Sequence, residues 1–313
     1  FIRISGSQTV AVAWSTANAQ LSATTGPVTP GAPASLVVPG LPVGSSVYAR
    51  VWTLDESDNV SAPSAVASVW ASPFTLSRLD GTGQDAGRWT SLALDRLGGA
   101  HAAYTAGTIT QELRYMTRSG GVWSVAEAPD PGIPADDVVL AMGPSYPQVV
   151  YRNSTTGQMR LAKRSSGWSA AAVASGDLHP GGLAVDATSY AHISYYDAAI
   201  GLRYARWNGA SWDLETVDGG VGRGRFSSLA LDGASAPHVA YYDATAGDLK
   251  YASRTAAGAW ATSTVEAAVD AGSVPVVALD GNGHAVIAYV DYASKDLKLA
   301  RFDGTAWAVS LID

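Results

Sequence analysis

Three histidines of this 313-residue chain keep the same company: His101, His192 and His238 each follow an aspartate by six positions, Asp95, Asp186 and Asp232. An imidazole beside a carboxylate can hold a metal or move a proton, so each pair is a candidate site. A reaction centre is needed once per molecule, whereas a packing solution is needed once per structural unit. Recurrence therefore favours a structural hydrogen bond inside each unit. The departures agree: the second unit has Met142 and Gln148 at these places, and the fifth has Val286, with His284 two positions earlier. A ligand set does not survive Met and Val, so the pattern calls for no metal and no cofactor.

Tyr195-Tyr196-Asp197 returns as Tyr241-Tyr242-Asp243, and a base follows each acid, Arg203 and Lys250. The acid can cap its own turn, or pair with the base across a hairpin in an exposed contact worth only about 0–1 kcal/mol. In the functional reading, Tyr196, Asp197, Tyr242 and Asp243 are ligand-binding groups at a sheet edge, with rings for stacking and acids for sugar hydroxyls. A tryptophan also recurs, as Trp123, Trp168, Trp212, Trp260 and Trp307. An indole can be a sugar platform, but burying one removes roughly 150–250 Å² from water, which is reason enough to retain it as packing.

The elements that carry these groups repeat with them. "SLALD" at 91–95, "VVLAM" at 138–142, "GLAVD" at 182–186, "SLALD" at 228–232 and "VVALD" at 276–280 open five units of about 45 residues. Each continues to a second strand with Tyr104, Tyr151, Tyr195, Tyr241 or Tyr289, a third with a Leu or Met before a base, and a fourth opened by the Trp. Apolar and polar residues alternate in "HISYYD" and "LRYAR", as pleated strands require, and Asp303-Gly304 and Asn208-Gly209 sit where strands reverse. Four strands in a period of this length predict an all-β fold, a β-propeller over residues 73–313. Phe74-Thr-Leu-Ser-Arg-Leu-Asp80 matches Trp212-Asp-Leu-Glu-Thr-Val-Asp218 position for position, so one further fourth strand precedes the first unit. Five blades with an extra edge strand is the first reading. Six blades is the alternative, with three strands supplied beyond Asp313 or by another chain.

The units, reading roughly S-L-A-L-D, H-x-x-Y-Y-D, L-K-Y-A and W, resemble those of bacterial extracellular and surface propeller proteins. That resemblance implies an extracellular or bacterial cell-surface location. Residues 34–71, "ASLVVPGLPVGSSVYARVWTLDESDNVSAPSAVASVWA", resemble the second half of a fibronectin type III domain, and Phe1-Ile-Arg-Ile-Ser resembles its third strand. Residues 1–72 then read as a partial fibronectin-like β-sandwich, with an edge that a partner or a precursor segment completes.

Bulk properties narrow the partners. A formal net charge of -7 opposes a phosphate backbone, so nucleic acid is not expected. No apolar run approaches the length of a membrane span, so no membrane insertion is expected, and without cysteine there is no disulfide or thiolate zinc site. A glycosidase needs one distinctive carboxylate pair, whereas these carboxylates recur with the repeat. The reading is therefore a non-enzymatic recognition or scaffold protein that binds glycan or protein through propeller loops or blade junctions. A carbohydrate-active hydrolase or lyase with a site in the channel is the alternative, and a structural surface or filament component is the third.

Overall fold

Tyr, Val, Ile and Thr on alternating positions favour pleated strands, and strands make up all the regular structure of the described residues. The structure, a computed structural model, describes residues 2–5, 45–51, 67–71, 85–255, 257–267 and 270–312. The chain divides into two units, Phe1–Arg78 and Leu79–Asp313. In the first, β1 (Ile2–Ser5), β2 (Ser45–Val51) and β3 (Ala67–Ala71) form an antiparallel sheet in the order β1-β2-β3. The remainder of the fibronectin-like stretch, and the strand expected at Phe74–Asp80, lie outside the described residues.

Among the described residues, the second unit is a β-propeller of five four-stranded antiparallel sheets. Blade 1 comprises β4 (Ala86–Leu94), β5 (Ala100–Ala106), β6 (Glu112–Ser119) and β7 (Val122–Trp123). Blade 2 comprises β8 (Ala135–Met142), β9 (Pro147–Asn153), β10 (Met159–Arg164) and β11 (Trp168–Ala174). Blade 3 comprises β12 (Leu178–Val185), β13 (Ala191–Asp197), β14 (Gly201–Trp207) and β15 (Trp212–Gly219). Blade 4 comprises β16 (Arg223–Leu231), β17 (Pro237–Asp243), β18 (Asp248–Arg254) and β19 (Trp260–Glu266). Blade 5 comprises β20 (Ala271–Leu279), β21 (Ala285–Asp291), β22 (Asp296–Phe302) and β23 (Trp307–Leu311). Every blade is a meander, and the first strands of successive blades pack side by side from blade 1 to blade 5.

Most of the core lies between blades rather than within them, because each sheet must cover both its faces. Leu202, Tyr204 and Val217 of blade 3, for example, bury against Leu229, Val239 and Tyr241 of blade 4. Close approach at these junctions fixes the glycines. Gly224 (φ 100°) has its α-carbon so near Leu202 that an added Cβ would sit 2.7 Å from it, and Gly272 (φ 98°) meets Leu249 in the same way. The glycine-rich stretch 219–225 is thus mostly the ends of β15 and β16, held by close packing.

The structure also moves one alignment. Leu140 pairs Val149 as Leu183 pairs Ile193, so Gly143, not Met142, stands where the other blades carry Asp. The turn in blade 2 is one residue shorter: Gly143 bonds to Tyr146, whereas Asp186 bonds to Tyr190.

Candidate functional site

The junctions between blades come in two kinds. Between blades 1 and 2, Glu127 accepts the indole N–H of Trp168 at 2.7 Å and two N–H groups of Arg164 at 3.0 and 3.1 Å. Between blades 3 and 4, Glu215 accepts the Trp260 indole N–H at 2.8 Å and lies 3.0 Å from Arg254. In both, the tryptophan packs edge-on against a tyrosine of the preceding blade, Tyr115 at 4.8 Å and Tyr204 at 5.2 Å between ring centroids. Polar and aromatic contacts close these two junctions.

The other two junctions lack the polar pair. Register puts Ala171 of blade 2 and Ser263 of blade 4 at the place of Glu215, and Trp207 of blade 3 and Phe302 of blade 5 at the place of the arginine. Acid and base have been exchanged together for a small residue and an aromatic. Trp207 now packs on Trp212 at 5.5 Å, and Phe302 on Trp307 at 5.2 Å. Among the described residues, neither the Trp212 nor the Trp307 indole N–H has a hydrogen-bond partner.

A cleft opens at each of these places. Between blades 2 and 3 it measures about 230 Å³ and is walled by Trp207, Trp212, Tyr190, Leu161 and Ala171, with Lys163, Ser169 and Thr188 as polar edges. In blade 2, Leu161 also replaces the tyrosine that fills the closed junctions, which deepens the cleft. Between blades 4 and 5 it measures about 300 Å³ and is walled by Trp307, Phe302, His284 and Tyr251, with Thr262 and Ser263 beside them. Such volumes, at or below the low end for small-molecule pockets, suit a guest of one ring.

The groups singled out in the sequence take other places. Tyr196, Tyr242 and Asp243 are buried, at 7, 9 and 3 % exposure, so they offer no open stacking platform. The second strand of a blade lies between the first and third, and its side chains face neighbouring blades. The Tyr242 hydroxyl donates to Asp270 at 2.7 Å, and burial with that acceptor pushes its pKa up to about 12. Asp197 caps its turn through the Ala199 N–H, and Asp243 does so through Thr245 N–H while pairing with Arg223 at 3.2 Å.

The histidines form three-member chains. His192 Nε2 lies 3.3 Å from Asp186, and its Nδ1 2.5 Å from the Tyr204 hydroxyl; His101 repeats this with Asp95 and Tyr115. His238 bonds the Tyr251 hydroxyl and lies 3.8 Å from Asp232. A carboxylate only accepts, so Nε2 carries the proton and Nδ1 receives the tyrosine O–H. Among the tryptophans, Trp168, Trp260 and Trp307 pack on tyrosines of the preceding blade, Trp123 rests on the cluster of Tyr104 and Met116, and Trp212 lines the first cleft. No group of three His, Cys, Asp or Glu side chains able to hold a metal occurs among the described residues.

Sequence reasoning missed the two clefts. The signal lay three residues after the fourth-strand tryptophan, where Ala171, Glu215 and Ser263 alternate, and in the residue paired with that tryptophan.

These features define a β-propeller whose blade junctions alternate between closed and open. No protein-family model matches the chain, and no curated protein does. Solved propeller structures do. Virginiamycin B lyase from Staphylococcus aureus, in a catalytically inactive form with quinupristin, superposes with a TM-score of 0.52 at 12% identity over 75% of this chain and 72% of its own. The fungal Aleuria aurantia lectin in complex with α-methyl-L-fucoside gives 0.52 at 14% identity over 85% and 91%. A protein from Dyadobacter fermentans gives 0.54 at 8% identity over 73% and 83%. At such identities the likeness establishes the fold. It also corrects one expectation, that the chain is not an enzyme: a propeller of this shape carries a lyase, so the lack of a distinctive carboxylate pair is no ground for excluding catalysis.

Proposed function

We propose that this propeller binds carbohydrate, one sugar ring to a cleft, at the junctions between blades 2 and 3 and between blades 4 and 5. The observation that carries this reading is the joint exchange of Glu and Arg for Ala171 with Trp207, and for Ser263 with Phe302. Random loss of a salt bridge would not place a second aromatic beside the first at both junctions. Paired aromatics offer a face for the C–H side of a sugar, and the spare indole N–H with Lys163, Ser169 and Thr188 offers partners for its hydroxyls. The fucoside held by the fungal lectin supports a glycan as the class of ligand and gives the first probe. Resemblance of the repeats, and of residues 34–71, to extracellular modules supports a setting outside the cell.

Rebuilding a closed junction tests the reading. The double variant Ala171→Glu, Trp207→Arg copies the blade 3–4 contact into the first cleft. Glycan-array and calorimetric titration should show that site lost and the melting temperature kept. Unchanged binding in this variant, or no binding of any sugar by the unaltered chain, would reject the proposal.

A further inference from the structure

The same inter-blade contacts that bury four junctions leave two faces bare. One leucine or valine of each first strand points at the preceding blade: Leu140, Leu183, Leu229 and Val277 are 5–8 % exposed. Leu92, their counterpart in blade 1, is 63 % exposed. On the opposite face, the third-strand residues Leu113, Met159, Leu202 and Leu249 are fully buried by the following blade, yet Leu297 of blade 5 is 40 % exposed. Val276 repeats this. Its counterparts Ser91 and Ser228 accept the N–H of Leu140 and of Val277 from the next blade, whereas Val276 is 59 % exposed. Among the described residues no packing like that between the other first strands joins β20 to β4.

We propose that these two faces are a docking surface for one further four-stranded blade of this same repeat, so that the ring is completed at six blades. The occupant is specified by continuity with the four existing junctions. Its first strand must present an apolar residue to Val276 and Leu297, as Val277 does to Leu249, and its third strand must cover Leu92, as Leu202 covers Leu229. A blade-sized partner fits because each bare face is matched to a blade face and not to the other bare face in place. Apolar area of this kind in contact with water is a standing cost that a covering blade removes. This inference does not rest on the sugar reading.

The test extends the full chain after Asp313 by a short linker and a copy of residues 223–266, the sequence of blade 4. Docking should raise the melting temperature by at least ~5 °C, slow amide exchange in β4 and β20, and leave the protein monomeric by light scattering. Leu92→Asp with Leu297→Asp should abolish that gain in the extended chain and be neutral in the parent. An appended repeat that stays protease-sensitive, with exchange in β4 and β20 unchanged, would overturn the proposal. So would a parent chain in which those strands are already protected, whether by a second copy in a tight dimer or by blade 5 closing on blade 1.

Discussion

The Trp260 indole N–H crosses a blade junction to reach Glu215 at 2.8 Å, and Arg254 approaches the same carboxylate at 3.0 Å. The acid sits on the fourth strand of blade 3, while both donors come from blade 4, so one carboxylate ties the outer strands of two sheets. Hydrogen bonds to a charged acceptor are worth about 1.5–3 kcal/mol, and partial exposure of the ion pair places this one toward the lower end. Glu215→Ala should therefore lower stability by about 1–2 kcal/mol, and Glu215→Gln, which keeps an acceptor, by less. Urea denaturation separates the two variants, and equal midpoints for Glu215→Ala and the parent would remove the tie.

Acid sensitivity follows from the buried histidines. Burial lowers the pKa of His192 and His238 below the ordinary value of 6.5, although Asp186 and Asp232 oppose it. As pH falls below about 6.5 the unfolded chain takes up protons that the folded chain refuses, so stability is full above that point and declines beneath it. Melting temperature should drop between about pH 7 and about pH 5, and His192→Gln should flatten the slope while lowering the plateau. A parent chain whose melting temperature is constant across this range contradicts the assignment.

A third contact recurs with one gap. Asp218 accepts the Tyr241 hydroxyl at 2.7 Å and Lys250 at 2.6 Å, and Glu266 accepts Tyr289 at 2.5 Å and Lys298 at 2.9 Å. Between blades 2 and 3 the corresponding residue is Ala174, and among the described residues the Tyr195 hydroxyl finds no acid. Ala174→Asp should supply an acceptor to Tyr195 and Arg203 together and stabilise the protein by about 1 kcal/mol. A lower denaturation midpoint in that variant would mean that the site cannot relax around the new charge.

The propeller was legible in the chain because its signal is local and repeated: alternation, turn dipeptides and a tyrosine at a fixed distance from each opening strand. His192 and Asp186 were legible as a pair for the same reason, but the Tyr204 hydroxyl that completes the chain was not, since no spacing rule ties β14 to β13. The clefts were harder to see. They arise where Ala171 and Trp207 depart from the pattern on different blades, and only the register across a junction brings the two departures together. An aromatic beside an acid reads as a sugar site in the sequence, but Tyr196 and Asp243 stand on middle strands and are buried, which no spacing pattern reveals.

The two kinds of junction make opposite demands on chemically identical tryptophans. At Trp260 the indole N–H is committed to Glu215, so Trp260→Phe removes a charge-assisted hydrogen bond and should cost about 1–2 kcal/mol of stability. At Trp212 the ring lines the cleft and its N–H has no partner among the described residues, so Trp212→Phe keeps most of the packing and should change stability by less than about 0.5 kcal/mol. Ligand affinity should divide the other way, with Trp212→Phe weakening sugar binding at the first cleft several-fold and Trp260→Phe leaving it intact. Thermal melts and calorimetric titrations of the two variants give four numbers. If Trp212→Phe proves as destabilising as Trp260→Phe and binding moves with neither, the open junction is a packing variant and not a binding site.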